Sequence, residues 1–175
     1  MTTPLQQAID CLQIRDVLMR ASQASLSEDF DPKYDIGAQA LIIQLKHVVT
    51  QSQVLEVEDG EETQQIFRVF VDLGARWVEA GSEEQGDTGK TVPESLVKAQ
   101  IEATLIAEYA LTDHPEKEAL DAFALKNASY HVWPYWREFL SSQSHRMGLP
   151  KVVVPTIQVA HNHNQQVEPS VVAET

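Results

Sequence analysis

Gly86-Asp87-Thr88-Gly89-Lys90-Thr91 is the stretch of this chain nearest to a phosphate-binding loop. Such a loop holds phosphate oxygens with backbone N–H groups and a lysine, and requires the spacing Gly-x-x-x-x-Gly-Lys-Ser/Thr. Its first glycine would stand where Glu84 is, and Pro93 and acidic residues surround the segment instead of a strand and an opening helix. It reads as a turn. His161 and His163 stand two apart beside Asn162 and Asn164, but a metal site wants more ligands, fixed by a second layer of partners. Glu56, Glu58, Asp59, Glu61 and Glu62 crowd one turn, and Glu79, Glu83, Glu84 and Asp87 another. General acid–base work needs two carboxylates in unlike environments; carboxylates clustered in hydrophilic turns serve solubility and blunt sheet edges. Cys11 has no basic or histidine neighbour to activate it, and no serine stands in a Gly-x-Ser-x-Gly elbow. Neither catalysis, a cofactor nor a metal is expected.

The aromatic residues offer a different chemistry. Tyr130, Trp133, Tyr135 and Trp136 fall within seven residues around Pro134. Consecutive helical residues point roughly 100° apart, so one face cannot bury them all. Either they plug a single core together, or some face a groove, a subunit or a bound polypeptide.

The totals narrow the partners. The chain has 175 residues and a net charge of −13, with a pI near 4.7. That length suits one domain with a tail, able to bury about two thirds of its unfolded surface. The negative field repels phosphate backbones, so nucleic acid is not an expected partner, whereas basic unfolded chains would be attracted. One cysteine excludes an internal disulfide, in keeping with a reducing compartment. No basic-then-apolar leader opens the chain, and no run reaches the roughly 18 apolar residues that span a bilayer. The expectation is a cytoplasmic protein that does not insert into membranes.

The elements that must position the aromatics follow from periodicity. Leu5, Ile9 and Leu12 share one face of a short helix over Pro4–Leu12. Residues 14–26 are strand-like, and Pro32 breaks the chain into a loop that carries Phe30. Ile36 to Val57 reads as a long, interrupted strand, followed by an acidic turn. Phe67, Val69, Val71, Leu73, Ala75 and Trp77 then take every second position of another. Residues 81–91 read as a flexible hairpin loop. From Val97 to Leu111 the alternation Ala99, Ile101, Ala103, Leu105, Ala107, Tyr109 predicts a strand, although Glu, Ala, Lys and Gln favour helix. Pro115–Leu125 predicts a helix with Ala119, Leu120, Phe123 and Ala124 inward and Asn127 at its end. Pro134 predicts the start of a second helix, with Tyr135, Phe139 and Leu140 on its apolar side and Gly148 at its end. Strands before helices predict an α+β fold.

Trp133-Pro134-Tyr135-Trp136-Arg137-Glu138, then Arg146-Met147-Gly148-Leu149-Pro150 and Val152-Val153-Val154-Pro155, resemble SecB, the tetrameric export chaperone. Asp29-Phe30-Asp31-Pro32 is similar to that family's aromatic-x-Pro crossover between its first two strands. The resemblance covers about residues 12–158, between an N-terminal segment (1–11) and a polar tail expected to be disordered (159–175). It implies a four-stranded antiparallel sheet with helices packed on one face. It also implies a homotetramer, built as a dimer of dimers, and an ATP-independent holdase activity on unfolded or aggregation-prone polypeptides. The client groove it implies is lined by Leu26, Phe30, Tyr34, Trp133 and Trp136, with Tyr135 packed inward. Two departures stand out: no long helix follows Pro155, and the loop at 81–91 is longer than in the family. Both argue against coupling to the export motor SecA, and a dedicated chaperone of an antitoxin, in a toxin–antitoxin–chaperone module, suits the trimmed end. A general export chaperone delivering preproteins to SecA, and an adaptor subunit that binds one folded partner, are the alternatives.

Overall fold

The computed structural model describes residues 3–60, 62–80 and 93–156. The phosphate-loop-like turn, Glu61, Glu83, Glu84, the two tail histidines and the polar tail lie outside the described residues.

Helix α1 (Pro4–Cys11) starts on Thr3, whose side chain accepts the Gln6 N–H at 3.2 Å, with Pro4 in the first turn. There a missing N–H costs nothing. It runs directly into strand β1 (Leu12–Leu26), followed after a crossover segment by β2 (Ile42–Asp59), β3 (Glu62–Val78) and β4 (Val97–Leu111). Helices α2 (Lys117–Lys126) and α3 (Ala128–Arg146) come last. The fold is α+β, as expected.

The sheet is antiparallel throughout, in the order β1-β4-β3-β2. β1 and β2 are therefore its two edges, and residues 27–41 carry the chain from one edge to the other. Gly60, at φ 69°, supplies the left-handed conformation that the tight β2–β3 turn needs. β4 settles the conflict between pattern and propensity. Ala99, Ile101, Ala103, Leu105, Ala107 and Tyr109 all point into the core, against Phe67, Val69, Val71, Leu73, Ala75 and Trp77 of β3. Period two buries every apolar residue on one sheet face, whereas a helix would scatter them around its circumference.

The helices cover that face with Ala119, Leu120, Phe123 and Ala124 of α2 and with Ala128, Val132, Trp136 and Leu140 of α3. The opposite face mixes apolar residues, Ile66, Phe70 and Ile106, with paired polar ones. There Arg68 Nε donates to Glu108 Oε2 at 2.7 Å, Thr104 Oγ1 donates to Asp72 at 2.7 Å, and Arg76 lies 3.7 Å from Glu102.

Three expectations are corrected. α3 begins at Ala128, directly after the Asn127 that ends α2, so Pro134 lies inside the helix rather than at its start. The earlier start turns the stripe Ala128-Val132-Trp136-Leu140, spaced by four, toward the sheet. Trp136 is consequently 1% exposed and Tyr135, one step around the helix, 51% exposed, the reverse of their assigned roles. β2 begins at Ile42, because Ile36–Ala40 coils into a short 3-10 turn that redirects the crossover chain into the strand.

The end of α3 matches its expected glycine. Gly148 takes φ 69°, its N–H bonds to the His145 carbonyl at 3.2 Å, and the Leu149 N–H bonds to the Ser144 carbonyl at 2.9 Å. This paired arrangement satisfies two helix-end carbonyls, and Leu149, buried, supplies the apolar contact that usually accompanies it.

Candidate client-binding surface

The crossover segment and the adjoining end of the sheet enclose an open cleft of about 540 Å³. Phe30, Ile36, Ala38 and Leu41 give it apolar walls, while Asp29, Asp35 and Glu79 line it with three carboxylates against the single ammonium of Lys98. Lys98 Nζ donates to Asp29 Oδ2 at 2.8 Å and lies 3.2 Å from Glu79 Oε1. The hydrogen bond from Lys98, aided by one from Ser27, holds the Asp29 carboxyl at about 2. The same two carboxylates raise the Lys98 ammonium above its ordinary value. The cleft is thus apolar inside and anionic overall.

Next to it, β2 presents apolar side chains on both of its faces. Ile43 and Val49 are half-buried, and Leu45, Val48, Val54 and Val57 are exposed. Among the described residues β2 pairs only with β3, so the outer row of its N–H and C=O groups has no partner strand among them. Such an edge is a template for an added strand.

The expected site residues fall in three places. Leu26 (38% exposed) ends β1, and Tyr34 (74% exposed) stands on the crossover with Lys33 Nζ 5.2 Å over its ring. Phe30 shares that segment but is nearly covered, lining the cleft. Trp133 is half-buried near the other end of α3, about 20 Å along the axis from the Gly148 turn that meets Pro32. Its indole N–H donates to the Pro155 carbonyl at 2.8 Å, and its ring stands edge-on to His47 at 5.7 Å. It therefore straps residues 150–155 back along α3, with Val154 turned into the core and Val153 out in solvent. Trp136 is a core residue, reached by nothing outside the protomer in this conformation.

Sequence reasoning missed Ile36, which is fully exposed at the crossover, and the Lys98 clasp. Ile36 was hidden in an apolar run read as strand. The clasp joins residues 69 apart in sequence, and no local pattern announces such a pair.

Two histidines tie α3 to the sheet. His47 Nε2 lies 2.6 Å from Ser129 Oγ, and His131 Nδ1 lies 2.9 Å from Tyr109 Oη. Burial lowers both imidazoles below their ordinary value and pushes the Tyr109 phenol up. The unfolded chain therefore binds more protons than the folded one around and below pH about 6.5, where a free histidine titrates. This contribution to stability is present above that pH, is lost as pH falls toward the lowered folded values, and levels off beneath them. Urea titrations from pH 7.5 to 5 are expected to show the decline, and His47→Gln/His131→Gln to flatten it. An unaltered slope in the double variant would place the titration elsewhere.

No family model matches the chain, and no curated protein matches it in sequence. Among solved structures, the SecB-like chaperone Rv1957 of Mycobacterium tuberculosis, in complex with a ChAD peptide from the HigA1 antitoxin Rv1956, superposes with a TM-score of 0.62. The two are 19% identical over 89% of this chain and 96% of that one. Among the described residues, no helix is long and apolar enough to cross a membrane, and no cluster of three His, Cys, Asp or Glu side chains could hold a metal ion. With its four-stranded antiparallel sheet, its crossover between the edge strands and its two covering helices, the chain has the SecB-like chaperone fold.

Proposed function

We propose that this protein is an ATP-independent holdase that keeps aggregation-prone polypeptides soluble, and that its dedicated client is an antitoxin. The observation that carries this reading is the free edge of β2, flanked by exposed apolar side chains and ending beside the apolar, anionic cleft at the crossover. An extended client adds its backbone to the edge and places apolar side chains against Ile36, Leu41 and Leu45, with Leu26, Phe30, Tyr34 and Trp133 bordering the path. Main-chain hydrogen bonds supply affinity without demanding one sequence, and side-chain pockets supply selectivity. The three carboxylates of the cleft favour basic residues next to the apolar anchors and speed encounter at low salt. The antitoxin role is preferred to delivery of preproteins to SecA because the solved neighbour carries an antitoxin peptide.

β1, at the opposite edge, exposes Ile14, Leu18 and Met19 across both of its faces. This suits pairing with a second copy and assembly into the homotetramer, where several weak grooves on one particle act together on a long client.

The purified protein is expected to suppress aggregation of a chemically denatured, basic client on dilution, without nucleotide. It is also expected to keep soluble an antitoxin encoded beside its own gene. A folded, soluble preparation that protects neither would sink the reading. Binding that requires a folded partner would favour an adaptor instead.

A further inference from the structure

The crossover segment, residues 27–41, is organised almost entirely by itself. Asp31 Oδ1 accepts the Lys33 N–H at 2.9 Å, Asp35 Oδ2 accepts the Asp31 N–H at 2.7 Å, and the Asp31 carbonyl accepts the Asp35 N–H at 2.9 Å. Among the described residues, the one side-chain hydrogen bond from this segment to the rest of the protomer comes from Lys98 to Asp29. The Ser27 N–H to the Lys98 carbonyl, at the start of the segment, and apolar contacts of Phe30, Ala38 and Leu41 supply the remaining hold.

Lys98 is placed to matter. Its side chain is only 13% exposed, and its ammonium sits between Asp29 on the segment and Glu79 at the end of β3. Glu79 is fixed by its own N–H to the Leu96 carbonyl at 3.1 Å, and the Lys98 carbonyl takes the Ser27 N–H at 2.9 Å. Two members of the triad thus belong to the rigid sheet, and the third belongs to the segment. Phe30, the residue after Asp29, is 9% exposed as long as the segment lies down.

We infer that Lys98 is a positioning residue whose ammonium holds the crossover segment onto the end of the sheet and so sets how often Phe30 and the cleft open to a client. A client that uses Phe30 binds the open form, so its apparent affinity is reduced by the fraction of molecules that are open. Without the ammonium, the carboxylates of Asp29 and Glu79 face each other and repel, which lifts the segment. Salt screens the triad and acts in the same direction.

The test is amide hydrogen exchange of the full chain, read by peptide. Lys98→Met and, independently, Asp29→Asn on the exposed loop are expected to speed exchange across residues 28–41 by about tenfold or more, with β3 and β4 unchanged. Lys98→Arg, which can still bridge two carboxylates, should restore slow exchange. In the wild type, exchange there should quicken between 0.05 M and 0.5 M salt, and in Lys98→Met the dependence should reverse, because salt then screens only the repulsion between Asp29 and Glu79. The second readout rests on the chaperone reading: fluorescein-labelled, reduced and carboxamidomethylated lysozyme should bind Lys98→Met several-fold more tightly than the wild type. Exchange that is unaltered in both variants overturns the clasp. Faster exchange with unchanged or weaker client binding overturns its role in access. A wild type that binds no client refutes the chaperone reading alone, because the exchange result still judges the clasp.

Discussion

Replacing Trp136 with alanine is expected to cost about 3–5 kcal/mol of folding stability, as truncation of a fully buried tryptophan does. The indole is 1% exposed, in line with Val132 and Leu140 and with its ring centroid 6.2 Å from that of Phe139. A domain of this kind is stable by about 5–15 kcal/mol in all, so the variant forfeits a large part of the total. Trp136→Asp is expected not to fold, since it adds an unpaired buried charge to the cavity. Tyr135→Ala, half-exposed on the neighbouring face, is expected to cost less than about 1 kcal/mol. Urea unfolding followed by circular dichroism checks all three. If Trp136→Ala retained wild-type stability and lost only client binding, the indole would have to face the client, as the aromatic cluster at first suggests.

The second large effect concerns binding. Ile36→Asp and Leu45→Asp are each expected to weaken binding of an unfolded client about ten- to a hundredfold while leaving the fold intact. Burying one such side chain is worth about 1.5–3 kcal/mol, and each 1.4 kcal/mol is a factor of about ten in affinity. Ile36 is 102% exposed and Leu45 46%, so neither owes the protomer much packing. Exposed substitutions of this kind change stability by about 0.5 kcal/mol or less. Fluorescence anisotropy with a labelled unfolded client measures the first quantity, and thermal unfolding the second. Unchanged affinity in both folded variants would move the client away from the crossover and β2.

Much of the fold was legible because alternation survives without knowledge of a partner. The inward sets of β3 and β4 follow residue by residue from period two, even where Glu102, Lys98 and the alanines of β4 favour a helix. α2 followed equally well from Ala119, Leu120, Phe123 and Ala124. α3 did not. Pro134 looks like a first helical residue, which leaves Tyr130-His131-Val132-Trp133 outside the helix. Only the sheet beneath shows that the stripe Ala128-Val132-Trp136-Leu140 is the one to be buried. The site was less legible still, because exposure depends on what an element packs against. Trp136, an aromatic beside a charged pair in sequence, becomes core, while Ile36, an apolar residue in an apolar run, becomes surface.

The sequence by itself determined the α+β order of strands and helices, the inner faces of the two central strands, the turn glycines and the anionic character of the molecule. These are set by local sterics, side-chain period and composition, which need no distant partner. The tertiary structure alone decided which strands lie at the edges, which tryptophan is hidden, and that Lys98 reaches both Asp29 and Glu79. Each of those depends on contacts between segments far apart in the chain, whose relative placement comes from packing the whole sheet against its helices and not from any one stretch.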